Sequence, residues 1–238
     1  MERLMERWVI FDAAEVRAAL EGQKTQFRRA LCQPSGRGAG EIGFKVPYLP
    51  EECPICIVDK LANVEVGWYS PTVVRRDDEE EPGPKVYGVY DLDGIWGQPC
   101  PYGGPGSLLR AKETWAYRLD CDEDPEARAW ALSRPAGSFF YRADGGFQQT
   151  GCGGAAGRWR SSTTMPRVAS RLTLEVTDVR VQQLQEISED DARAEGYSGA
   201  AWWASSRELF AAWWDILSKR TPWDSNPIVW VVSFRRCQ

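Results

Sequence analysis

Three bases, Lys24, Arg28 and Arg29, crowd the short stretch Gln23-Lys24-Thr25-Gln26-Phe27-Arg28-Arg29. A lysine desolvated in a cleft loses part of its proton affinity and can act as a base, or it can anchor a phosphate or a carbonyl. A guanidinium grips phosphate with two parallel hydrogen bonds. If the stretch is extended, adjacent side chains point opposite ways, so only one of Arg28 and Arg29 turns inward. The plainer reading of the same bases is solvated charge, or cations placed at the C-terminal end of a helix dipole. Further bases pair up at Arg158/Arg160 and Arg167/Arg171. Arg167 and Arg171 carry the same anion-binding reading. Glu113 is either a carboxylate bordering a cleft or an ion-pair partner, and Trp115 is either a stacking platform or core.

Cys53-Pro54-Ile55-Cys56 has the spacing of a zinc knuckle. Cys32 and Cys100 would complete a four-thiolate site, which is a structural and not a catalytic arrangement. Such a site would staple a long insertion to the rest of the fold. The seven cysteines are odd in number and irregularly spaced, as expected of thiols or metal ligands in a reducing compartment. The chain has no histidine. That excludes Ser-His-Asp and Cys-His machinery and the His-containing zinc hydrolases and deaminases. Chemistry is left to Lys, Glu, Asp, Thr, Ser, Tyr and Cys.

The elements that must position these groups belong to a chain of 238 residues, long enough for a sizeable core in one domain. Its 43% apolar and 26% charged composition is that of a globular protein. A net charge of −5 argues against non-specific nucleic-acid binding, although Asp77–Glu81 holds five of the negatives in one loop-like stretch. Twelve tryptophans favour a sheet-rich fold with broad aromatic walls. No apolar run is long enough to span a membrane, and the N-terminus lacks a signal-peptide core, so the expected location is cytoplasmic.

Trp8–Phe11 reads as a short buried strand. Asp12 and Glu15 then form a capping box for a helix that Gly22 ends. Residues 33–99 read as an insertion with one strand at Lys85–Tyr90. Leu108–Tyr117 reads as one strand, 119–160 as a second, loop-rich insertion, and Arg171–Val181 as the clearest alternating strand. Ser188 caps a helix over Glu189–Glu195. Ser205 and Glu208 open another that runs to about Arg220, with Phe210, Trp213, Trp214 and Leu217 at helical spacing. Ile228–Phe234 is a buried final strand. Mixed strands and helices without a βαβ rhythm predict an α+β, barrel-like domain.

Five segments in this order resemble the ASCH domain, a branch of the PUA-like β-barrel superfamily, and most of all its phage-encoded, morphogenetic-type members. They are Gly22–Arg29, Cys100–Gly103 running through Glu113-Thr114-Trp115, Met165–Arg171 with its strand, Ile187–Gly196, and Trp223–Pro227 with the final strand. The resemblance covers roughly half the chain and brackets both insertions. It implies a barrel, with residues 1–238 as a single domain, and a cleft that accepts a nucleobase, a nucleoside or RNA. Small bacterial relatives hydrolyse the amide of acetylcytidine with a lysine, a threonine three residues later and a glutamate in the later helix. By position the lysine is Lys24 and the glutamate Glu195, while Phe27 stands where the threonine would be. Glu195 would then pair with Lys24 or accept from an exocyclic amine.

The expected function is therefore nucleic-acid or modified-nucleotide binding, RNA ahead of DNA, with Lys24, Thr25, Arg28, Glu113, Trp115, Arg167 and Arg171 as candidate contacts. The alternative is an amidohydrolase acting on an acylated nucleobase, with Lys24 and Glu195 catalytic. A third reading, a phage structural or host-interaction protein acting in a bacterial cytoplasm, rests on the label its phage relatives carry.

Overall fold

A computed structural model describes residues 6–31, 64–74, 80–91, 97–134, 138–145, 156–197 and 204–237. The chain opens with β1 (Arg7–Ile10), α1 (Ala13–Leu20) and β2 (Gln26–Ala30). Five strands follow: β3 (Val64–Tyr69), β4 (Thr72–Val74), β5 (Glu80–Pro82), β6 (Val86–Asp91) and β7 (Gly97–Pro99). Then come β8 (Leu108–Lys112), β9 (Trp115–Tyr117), α2 (Leu119–Asp122), α3 (Pro125–Ser133) and β10 (Phe139–Tyr141). The last elements are β11 (Thr173–Gln183), α4 (Glu189–Ala194), α5 (Ser206–Leu217) and β12 (Ile228–Arg236).

The architecture is mixed, α+β, with several sheets. Among the described residues no sheet closes into a barrel. The chain divides into two compact units, residues 1–24, 108–175 and 235–238 in the first and residues 25–107 and 176–234 in the second. No helix among the described residues is long and apolar enough to cross a membrane.

In the first unit, β1 runs parallel to β8 and β8 pairs antiparallel with the start of β11. Val9, Leu109, Ala111 and Leu174 turn inward. The alternation that buries Val9 sends Trp8 and Ile10 outward, so β1 is not the wholly buried strand its composition suggested. Both arms of the Asp12/Glu15 capping box form, and Gly22 takes the left-handed φ of 77° that ends the α1 turn.

The strand expected over Leu108–Tyr117 breaks at Glu113–Thr114 into β8 and β9. There the Glu113 N–H turns to the Met165 sulfur and the Thr114 carbonyl accepts from Arg142. The stretch 119–160, expected to be loop-rich, instead builds α2, α3 and β10. Asp124 caps α3 and Pro125 begins it, a start signal that the acidic surroundings masked. Trp115, Tyr117, Cys121, Ala131, Phe139, Met165 and Ala169 form the core beneath.

In the second unit, β12 pairs antiparallel with β2, with Val231 opposite Arg28. Beside the expected strand near Lys85–Tyr90 stand β3 and β7, which complete a three-stranded sheet, and a β4–β5 ribbon. Glycine hides β3 from its sequence pattern. Gly67 breaks the run of side chains and lies opposite Gly88, while Gly97 passes so close to the Tyr69 ring that a Cβ there would approach it to 2.4 Å. The Ser205/Glu208 box opens α5 as expected, but the helix stops at Leu217. Phe210 and Trp214 are buried, Trp213 partly so, and Leu217, the last helical residue, is exposed. These aromatics pack on Leu184, Ile187, Ala192, Val229 and Val231.

Candidate functional site

Strand β2 delivers Arg28 to the interior of the second unit. Gln26 and Arg28 are two residues apart and share a face, while Phe27 between them packs against Tyr102 and Phe234. The Arg28 Nη1 donates to Gln26 Oε1 at 2.7 Å and to Glu195 Oε1 at 2.9 Å, and its Nη2 donates to Asp191 Oδ2 at 3.0 Å. The Arg28 and Glu195 side chains are both 0% exposed. The Phe210 ring lies 5.9 Å from the guanidinium carbon. Arg29, the outward neighbour, is half-buried and donates back to the Arg28 carbonyl.

Helix α4 supplies both carboxylates. Ser188 accepts from the Asp191 N–H and so starts the helix, and Glu195 is its C-cap, followed by Gly196 at a φ of 93°. From β11, Arg180 Nη2 donates to both oxygens of Asp191 at 2.9 and 3.0 Å, and its Nε donates to Gln182 at 3.2 Å. Burial alone would raise the Asp191 pKa; the Arg180 hydrogen bond and the nearby Arg28 charge outweigh it and hold the carboxyl below its ordinary range. Two buried donors in this network, Arg28 Nε and Gln182 Nε2, have no partner among the described residues. Arg180, 38% exposed, and Asp191, 23% exposed, form the solvent side of the network.

Thr25 is exposed and engaged through its backbone, with its N–H on the Ala194 carbonyl and its own carbonyl accepting from Phe234. Lys24 belongs to the first unit. It is buried, with Nζ 3.4 Å from Glu15 Oε1 and 5.6 Å from the centre of the Phe11 ring. The same Glu15 carboxylate accepts from the Asp12 N–H, so the capping box doubles as the counter-charge of Lys24.

The other candidates of the first unit fall into three cases: an ion pair, a core ring and an exposed base. Arg171 grips Glu113 with two parallel bonds of 2.9 and 3.0 Å, reaches Asp144, and stacks 4.0 Å from the centre of the Tyr141 ring. Burial raises the Glu113 pKa despite this partner, and burial pushes the Tyr141 phenol up to about 12. Glu113 and Arg171 are thus each other's partners, in the ion-pair arrangement that had been the alternative for Glu113. Trp115 is core, edge-on to Tyr117 and Phe139, with a buried indole N–H that has no partner among the described residues. Arg167 is well exposed and pairs with Glu6 at 2.8 Å.

Sequence reasoning missed Asp191 as a partner of Arg28, with Arg180 and Gln182 linked behind it, and Asp122 as the carboxylate that holds the Arg158 N–H and the Arg160 guanidinium. The proposed zinc ligands Cys32, Cys53 and Cys56 lie outside the described residues. Cys100 is buried as a thiol, and among the described residues no cluster of three or more His, Cys, Asp or Glu is placed to hold a metal. No protein-family model, curated protein or solved structure matches the chain.

Proposed function

We propose that the chain is an ASCH-type, PUA-like module that recognises a nucleobase, as a free nucleotide or within RNA, through the Arg28–Glu195 centre of its second unit. The observation that supports this reading is a fully buried Arg28–Glu195 pair whose Arg28 Nε has no partner among the described residues, in a network that reaches, through Asp191 and Arg180, a second such donor, Gln182 Nε2. Burying an ion pair is costly, and apolar side chains of similar volume usually serve stability at least as well. Unpaired buried donors add to that cost. A ligand carbonyl would satisfy Arg28 Nε and Gln182 Nε2, while Glu195 and Asp191 would accept from a neighbouring amine. Lys24 enters by the family resemblance alone, and the cytoplasm is the location that goes with it.

Recognition is favoured over hydrolysis by Phe27. It stands at the position of the relatives' threonine and is a core ring, buried between Tyr102 and Phe234. Calorimetric titration with cytidine, acetylcytidine and the four ribonucleoside monophosphates tests the reading. Binding of at least one, weakened at least tenfold (about 1.4 kcal/mol) in Arg28→Lys, is expected. Absence of binding by all of them in folded protein overturns it. Release of cytidine from acetylcytidine, lost in Lys24→Ala, would replace recognition by amide hydrolysis.

A further inference from the structure

The outer face of the first unit's sheet carries a different kind of site. Strand alternation puts Val9, Leu109 and Ala111 inward and leaves Trp8, 36% exposed, and Ile10, 48% exposed, facing water. The parallel register sets Trp8 beside Arg110 and Ile10 beside Lys112. The Lys112 ammonium lies 4.7 Å from the centre of the Trp8 ring and donates to the Thr163 carbonyl. Glu6 takes both Arg110 and Arg167, which brings Arg167 to the same place. An exposed indole thereby has Lys112 over its ring and Arg110 beside it in register, with Arg167 joined to Arg110 through Glu6, on a chain of overall charge −5.

We propose that this face binds single-stranded nucleic acid, with a base stacked on Trp8 and phosphates held by Arg110, Lys112 and Arg167. Aromatic stacking accepts any base because every base has a π-face, and flanking cations follow the backbone. A protein partner is the poorer fit for Lys112 and Glu6, because lysine and glutamate are depleted at protein interfaces. The face shares no residue with the Arg28–Glu195 centre, so the proposal goes beyond the nucleobase reading and does not depend on it.

Fluorescence anisotropy of labelled twelve-residue oligouridylate and oligothymidylate, titrated with the full chain at several salt concentrations, tests it. Three phosphate contacts predict a log–log salt slope of about −2, at roughly −0.7 per contact on single strands. Arg167→Ala, at an exposed position, shallows that slope by about 0.7. Trp8→Ala weakens binding on the order of ten- to a hundredfold, while Trp8→Phe keeps most of it. Equal affinity of both oligonucleotides for wild type, Trp8→Ala and Arg167→Ala overturns the proposal, as does absence of binding at low salt. A dimer that Trp8→Ala dissociates, without effect on oligonucleotide affinity, would assign the face to a second copy instead. Nucleoside titration reads the second unit and anisotropy the first, so either proposal can fail alone.

Discussion

Glu195→Ala strips the fully buried Arg28 of the carboxylate 2.9 Å from its Nη1. Breaking a buried pair from one side costs about 3–5 kcal/mol, because the remaining charge stays buried without compensation. Arg28 keeps Gln26 at 2.7 Å and Asp191 at 3.0 Å, and Asp191 keeps Arg180, which places the loss at the lower end. A loss of about 3 kcal/mol corresponds to roughly 6–12 °C in Tm for a chain of this size. Urea titration and thermal melting monitored by circular dichroism read it, with attention to the transition that carries the second unit. The companion Arg28→Met/Glu195→Leu removes both charges and should recover most of the stability, since apolar replacement of a buried pair is often neutral or better. A Tm for Glu195→Ala within about 2 °C of wild type, or a double variant less stable than the single one, would refute the reasoning.

Gly157→Ala should destabilise by about 1–3 kcal/mol in a thermal melt, because a Cβ there would sit 2.5 Å from Asp122 Oδ2 and disturb the grip on Arg158 and Arg160. Ser205→Ala removes the cap of α5 and should cost about 1 kcal/mol by urea titration. Asp191 has a depressed pKa in the folded state, so its stabilisation is present above the ordinary value of 3.8 and is lost as pH falls through the folded value. The advantage of wild type over Asp191→Asn, measured by urea titration across pH, should therefore shrink in acid and stay level near neutrality. Glu113 has the opposite sign. Its pKa is raised by burial, so the stability it contributes falls as pH climbs from its ordinary 4.5 through the folded value, and Glu113→Gln should flatten that decline.

Elements whose ends are written in local chemistry were legible. Asp12 with Glu15, Ser188, and Ser205 with Glu208 cap their helices as their spacing predicts, because a cap needs only three or four neighbouring residues. A long alternating run gave β11 and a continuous apolar run gave β12, each to within two residues at each end. Strand β3 was not legible, because Gly67 interrupts its pattern and its stability comes from pairing with β6. Extended geometry required that one of Arg28 and Arg29 face inward, but only the tertiary environment of Phe210, Asp191 and Glu195 selects Arg28. Asp191 passes in sequence for a first-turn helix acid, which it also is, and nothing local announces its two guanidinium partners. Likewise, Glu113 and Arg171 lie 58 residues apart, so their pairing is a property of the fold.

The claim that the Arg28–Glu195 centre is a recognition site is tested most directly by side-chain NMR of 15N-labelled protein during titration with a nucleoside that binds. The Arg28 Nε–Hε resonance and the Gln182 side-chain amide, two buried donors without partners among the described residues, should shift together and saturate with the calorimetric Kd. Saturable binding that leaves both resonances in place would contradict the account.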